Sequence, residues 1–285
     1  MVKLEWRYFN MAIITIARQE GSLSKEISQG LAERFGWQFI SRDLINKELA
    51  GYYGITEKSI SKFDEKKPGL LASFSNQHDK YNNYFKLYFF EKVIDTPQCI
   101  LLGRGGAFFL KNVPGVLRIR IIGSENVRVA RIMDRYHLDE KAARKLVNQR
   151  DDERAGYTRF FYNMSWDDPG SYDMVINTDV LGTEVVYKMV EGAIEVFNHE
   201  NYTEKLVKRL KELYLAQKIV IYLLYEEKIP VHFLEVDVHD KTATIMGTVE
   251  VRGLIDQVGQ AVAAHEGVEQ VENKVVFVNT YPPIA

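Results

Sequence analysis

Three groups of residues in this 285-residue chain have the types and spacing that hold phosphate. The first is Gly21-Ser22-Leu23-Ser24-Lys25, a short polar turn between the β-branched run Ile13 to Ile16 and a helical repeat of Ile27, Leu31 and Phe35. A strand, a small-residue turn and a helix N-terminus aim backbone N–H groups and the positive end of the helix dipole at one point. Lys25 adds an ammonium at the mouth of that helix. The pattern G-x-x-x-x-G-K-[ST] asks for a Gly before the Lys and a hydroxyl after it. Here Ser24 precedes Lys25 and Glu26 follows it, so Ser22, Ser24 or Ser28 would have to supply the hydroxyl for magnesium. The same stretch also reads as the first strand and helix of any α/β domain.

The second group is Gly103-Arg104-Gly105-Gly106, at the end of the apolar run Cys99 to Leu102. Glycines let the backbone approach a ligand, and Arg104 offers a planar fork for an anion. Arg42 and Asp43 stand at the end of another short strand, Trp37 to Ile40, where open α/β sheets take ligands; Ser41 and Asp43 serve equally as a plain helix cap. The third group is a run of arginines. Arg128, Arg131 and Arg135 lie on one helix that Ser124 caps, and Arg144, Arg150, Arg154 and Arg159 on the next, interleaved with Asp151 and Asp152. Arg150 and Arg154, four apart, share a helical face. Such a run forms either a solvated, ion-paired helix or a lid that closes cations over phosphates.

The elements that position these groups read as strand, helix, strand, helix from Ile13 to Tyr52. A polar stretch follows from Gly54 to Asn83, broken at Lys66-Lys67-Pro68-Gly69. Tyr81, Tyr84, Phe85, Tyr88 and Phe89 mark one helical face, more consistent with core than with a base-stacking platform. Val116 to Ile122 alternates Leu117, Ile119 and Ile121 with Arg118 and Arg120, which predicts a further strand. A helix from Asp139 to about Tyr157, a strand Tyr172 to Thr178 and a helix Glu184 to Phe197 complete the unit.

Charge is nearly balanced at −2, which gives no argument for nucleic acid or an anionic membrane. The single Cys99 forbids an internal disulfide and fits a reducing compartment. Residues 1–10 lack the apolar core of a secretory signal and read as an extension ahead of Met11. No run is long enough to span a bilayer, so the expectation is a soluble, cytoplasmic protein without a transmembrane segment.

Taken together, residues 11 to 198 resemble the nucleoside monophosphate kinases, and most closely the cytidylate kinase-like family. The resemblance rests on Ile14 to Ser22, Gly103-Arg104-Gly105, the Arg128/Arg131 helix, Arg150-Asp151-Asp152-Glu153-Arg154 and Tyr172 to Thr178, in that order. It implies a P-loop α/β fold with a parallel sheet, flanking helices and a helical lid. It implies transfer of the γ-phosphoryl of ATP, with Mg2+, to CMP, dCMP or a related nucleoside monophosphate. In that picture Gly21, Ser22, Leu23, Ser24 and Lys25 hold the donor phosphates, with Ser22 and Ser24 as metal ligands. Arg42, Asp43 and Arg104 hold the acceptor, and Lys25, Arg131, Arg150 and Arg154 act on the transferring group. Two positions depart from the family: Ser24-Lys25-Glu26 replaces Gly-Lys-Gly/Ser-Thr, and Gly105 stands where an Asp follows the Gly-Arg. They leave open a nucleotide-binding regulator with weak transfer.

The domain boundary falls at a polar linker, giving 1–200 and 201–285. The second part reads α-β-β-α-β: a helix from Glu204 to Glu227, strands Phe233 to Val238 and Thr242 to Val249, an amphipathic helix through Leu254 and Val262, and a last strand from Val268 to Val278. Ile245 to Val249 and Gly267-Val268-Glu269-Gln270-Val271-Glu272-Asn273 make it similar to a BON domain. That likeness implies a small module docking a ligand, a lipid or a protein partner. His232, His239 and His265 read as surface residues rather than a metal site.

Overall fold

The computed structural model describes residues 12–52, 76–198 and 202–279. The leading extension, the Lys66-Lys67-Pro68-Gly69 breaker and most of the polar stretch and linker lie outside them. The chain divides into two compact units, 1–81 with 95–206, and 82–94 with 207–285.

In the first unit the strands are β1 (Ile13–Arg18), β2 (Gln38–Ile40), β3 (Cys99–Leu102), β4 (Val116–Ile122) and β5 (Met174–Asn177). They form a sheet ordered β2-β3-β1-β4-β5, and every described pairing is parallel. Parallel strands need crossover helices on both faces, and so read as continuous apolar runs such as Ile13 to Ile16 and Cys99 to Leu102. Helix α1 (Ser24–Phe35) and a helix further along the chain, Thr183–Asn198, cover one face. Ile27, Leu31, Phe35, Val186, Val190 and Ile194 pack there on Ile14, Ile16, Ile119 and Ile121. On the other face Ala107, Phe108 and Tyr172 form a small aromatic core with Ala17 and Tyr162. Cys99 is fully buried in β3, and burial pushes its thiol well above its ordinary range.

Helix α2 (Arg42–Tyr52) follows β2, helix α3 spans Asn76–Val93, and a one-turn helix α4 (Gly106–Phe109) follows β3. Helices α5 (Glu125–Tyr136) and α6 (Glu140–Tyr162) pack on each other through Val129, Ile132, Ala143 and Val147. α6 outruns its expected end by five residues: Tyr157 is buried, Tyr162 beside it packs on the aromatic core, and Asn163 stops the helix in the left-handed region. Asp139 caps it, accepting from Ala142 N at 2.7 Å. The Ser124 hydroxyl makes no such bond at the head of α5; Asp179 instead accepts from the Ser124 amide at 2.9 Å. The Thr183–Asn198 helix is α7.

The second unit runs α8 (Tyr202–Ile221), β6 (His232–His239), β7 (Thr242–Val249), α9 (Gly253–Ala263) and β8 (Gln270–Phe277). β6 pairs antiparallel and β8 parallel with the central β7. The expected first helix gives way to a π-helical turn over Tyr222–Glu226. Ile219, Leu223, Ile245, Val258 and Val262 form its core. Asn273 donates to Ile255 O at 2.7 Å and so ties β8 to α9. Residues 82–94 of α3 belong to this unit: Asn83 bonds Tyr225 and Gln217, and Tyr84 stacks on Tyr225 at 5.7 Å. No described helix is long and apolar enough to cross a membrane.

Candidate functional site

The chain leaves β1 at Arg18 with Gln19 still in the ladder, its amide donating to Ile121 O at 3.0 Å. It then turns sharply. Gly21 has φ +78, and a Cβ on it would lie 2.6 Å from the Arg128 carbonyl oxygen. The backbone of α5 therefore demands glycine at this position. Ser22 is buried, its hydroxyl donating to Gln19 O at 2.8 Å. Leu23 takes φ +61 ahead of α1, a costly conformation for leucine that its packing against the main core offsets. The first amides of α1 have no preceding turn to bond.

The carbonyl side of this loop is braced by α5. Arg128 is buried and donates to Gly123 O at 2.9 Å and to Glu20 O at 3.0 Å, and pairs with Asp151 at 2.7 Å. Arg131 donates to Thr178 O at 2.7 Å, to the Thr178 hydroxyl at 3.0 Å and to Gly21 O at 3.3 Å. Glu26 pairs with Arg135, which accounts for an acid at that position of α1.

Above the loop, α6 brings down Arg150, Asp151 and Arg154. Asp151 accepts from the Glu20 amide at 2.8 Å, and Arg150 and Arg154 each reach a different oxygen of the Glu20 carboxylate at 2.6 Å. Burial pushes the Glu20 carboxyl upward, but Arg154 and then Arg150 outweigh it and hold its pKa below the ordinary value. Asp151 goes the other way: burial dominates and raises it despite the Glu20 amide, Arg128 and Arg154.

At the end of β3, Gly103, Arg104 and Gly105 are all left-handed, with φ of +82, +59 and +71. The Tyr162 ring covers Gly105 so closely that a Cβ there would meet it at 2.3 Å. Arg104 is 1% exposed, donates to Asn46 Oδ1 at 3.0 Å and lies 5.6 Å from the Tyr81 ring centroid. Arg104, with Arg18, Arg154, Tyr157 and Trp166, lines a pocket at the C-terminal ends of β1 and β3. The pocket has a volume of about 30 Å3 and lies between the glycine turn after β3, α6 and the Trp166 segment. That segment is held from below by Arg120, whose guanidinium lies 4.5 Å from the Trp166 ring and donates to Trp166 O and Asp167.

The chain matches the sequence profile of the Cytidylate kinase-like family over residues 13–180. It belongs to that family. The matched region is 27% identical over 184 residues to the cytidylate kinase of Archaeoglobus fulgidus, covering 64% of this chain and 94% of that protein. The Methanococcus vannielii cytidylate kinase is 28% identical over 187 residues, at 64% and 99% coverage. A crystal structure of an uncharacterized protein from Eubacterium ventriosum has the same fold, with TM-score 0.50 and 20% identity over 65% of this chain and 98% of that one.

Within this cytidylate kinase-like region the expected residues divide. Arg104 and Arg154 meet at one pocket, and Arg150 and Arg154 meet on the carboxylate of Glu20, the residue before Gly21. Arg131 braces the loop from behind. Lys25 is exposed on α1, and Ser24 is buried at its first residue. The side chains of Arg42 and Asp43 lie outside the described residues. Sequence reasoning gave no site role to Glu20, Arg18 or Arg120, and named Arg128 only as one of a run of arginines on its helix. Arg120 served only to mark the alternation of β4, and a sheet covered on both faces buries it at 4% exposure. Glu20 carried one available signal, an acid directly before the glycine of a turn read as anion-binding. Among the described residues no group of three His, Cys, Asp or Glu side chains is placed to hold a metal.

Proposed function

We propose that the first unit moves the γ-phosphoryl of ATP to a nucleoside monophosphate, with CMP and dCMP the first candidates. The observation that carries this reading is that Arg18, Arg104 and Arg154 line one pocket at the C-terminal ends of β1 and β3, inside a cytidylate kinase-like region whose relatives are cytidylate kinases. Phosphoryl transfer asks for positioning and cations more than for covalent chemistry. The α1 amides and Lys25 bind the donor phosphates, Arg104 takes the acceptor phosphate, with Arg42 and Asp43 beside it, and Arg150 and Arg154 close from α6 to exclude water. Mg2+ would arrive with the nucleotide, its charge set against the phosphates. Ser24 at the first residue of α1, and Ser22, whose hydroxyl donates to Gln19 O and keeps its lone pairs, are the hydroxyls that would face that ion.

The test is diphosphate formation from ATP with CMP, dCMP and UMP. Arg104→Ala should raise KM for the monophosphate about tenfold or more, and Lys25→Ala should lower kcat by about 10²-fold. A second reading, a nucleotide-binding regulator with weak transfer, is favoured by the exposure of Lys25 and the small pocket. It predicts that ATP raises the melting temperature while no monophosphate turns over. Residues 202–279 lie outside the family match; we read them as a BON-like module that docks a ligand or partner, within a protein of a reducing, cytoplasmic setting.

A further inference from the structure

Two guanidinium groups straddle one small anion in this site, and the anion belongs to the protein. Arg150 takes Glu20 Oε1 and Arg154 takes Oε2, both at 2.6 Å, in the way two cations share a phosphoryl group. The carboxylate sits on the residue before Gly21, where the loop would receive phosphate. Its backbone does not depend on this contact: Asp151 already fixes the Glu20 amide at 2.8 Å and Arg128 its carbonyl at 3.0 Å. The side chain can therefore be exchanged without releasing the loop. Arg154 also lines the pocket with Arg18 and Arg104, so the residue that binds Glu20 is one the kinase reading requires for transfer. Three cations, Arg128, Arg150 and Arg154, face two resident carboxylates, Glu20 and Asp151, which leaves little net charge for an incoming anion.

We propose that Glu20 is a resident substitute for phosphate: its carboxylate latches α6 over the phosphate loop through Arg150 and Arg154, and the phosphate chain of a nucleotide binds by displacing it. The exchange makes and breaks only ion pairs. It sets a threshold, because the apparent affinity for nucleotide is the intrinsic affinity scaled by the fraction of molecules with the latch open. The proposal rests on the phosphate-loop reading above.

The test uses the full chain, titrated calorimetrically with sodium tripolyphosphate and with ATP, as wild type, Glu20→Gln and Glu20→Ser. Both variants should bind tripolyphosphate about tenfold more tightly or better. Ligand-free, they should exchange the amides of residues 150–162 faster than wild type, with protection restored by tripolyphosphate. The gain should vanish when Arg154→Ala is added. Variants that bind no tighter than wild type, a gain that survives Arg154→Ala, or failure of both variants to fold would each overturn the latch. In the first two cases a wild type that binds leaves the kinase reading standing. If neither wild type nor variants bind tripolyphosphate or ATP, both readings fall.

Discussion

Gly21 and Arg104 show how differently two residues of one sequence signature are used. Gly21 is fixed by the protein itself, since Arg128 O sits where its side chain would be. Gly21→Ala should therefore cost about 2 kcal/mol or more in urea unfolding, with or without nucleotide. Arg104 is held in a left-handed turn with its head between Asn46 and Tyr81, so its burial is prepared rather than incidental. Glu20 has a pH signature. With its folded pKa below the ordinary 4.5, its stabilising contribution is complete above that value and is lost as pH falls through the lower folded value. Asp151, shifted upward, opposes this, because folding favours its protonated form as pH falls. Unfolding free energies measured between about pH 3 and 6 should fall less steeply toward acid in Glu20→Gln than in wild type. The turn at Gly21 was legible because a glycine between a strand and a helix has few other uses, whereas the seating of Arg104 against Asn46 and Tyr81 was not. Glu20 was not, since a single acid in a polar turn looks like solvation until its partners are known.

Among the elements, the α5–α6 pair matters most to the site. Arg128 and Arg131 hold the loop from α5, while Asp151, Arg150 and Arg154 reach it from α6. Asp151 joins the two helices and the loop in one contact set. Removing it leaves the buried Arg128 without its charge partner, so Asp151→Ala should cost about 3 kcal/mol in chemical unfolding, more than any exposed acid on α6 such as Asp152. Strands and helices of this unit followed from apolar runs and 3.6-residue spacing, so Ile13–Arg18, Ser24–Phe35 and Cys99–Leu102 lie close to where periodicity puts them. What periodicity left open was the second face of the sheet. Arg118 and Arg120 alternate as if one side of β4 were wet. Arg118 does pair at the surface with Asp173, but Arg120 lies under Trp166 and Tyr172 because a parallel sheet is covered twice. Burial also pushes the Tyr172 hydroxyl up to about 12, a shift no linear pattern announces.

At the scale of the whole molecule, the family match spans 13–180, and the second unit draws on a segment well inside that span, residues 82–94. Sequence could not foresee this, because a helix that reads as one aromatic face does not reveal which partners share it. The consequence is testable by expression. A fragment of residues 202–285 lacks Asn83 and Tyr84, the partners of Gln217 and Tyr225, and should bind a hydrophobic dye and melt without a sharp transition. Adding a peptide of residues 76–94 should sharpen it.

The lone cysteine offers one more use. Cys99 sits in β3 with β1 on one side and β2 on the other, and it is the only thiol in the chain. A thiol reagent can reach it only when those strands part, which makes its labelling rate a clock for the opening of the sheet, ticking in the absence of any engineered probe. ATP, if it fills the Gly21 turn at the end of β1, should slow that clock, and should slow it more in Glu20→Gln than in wild type at the same nucleotide concentration.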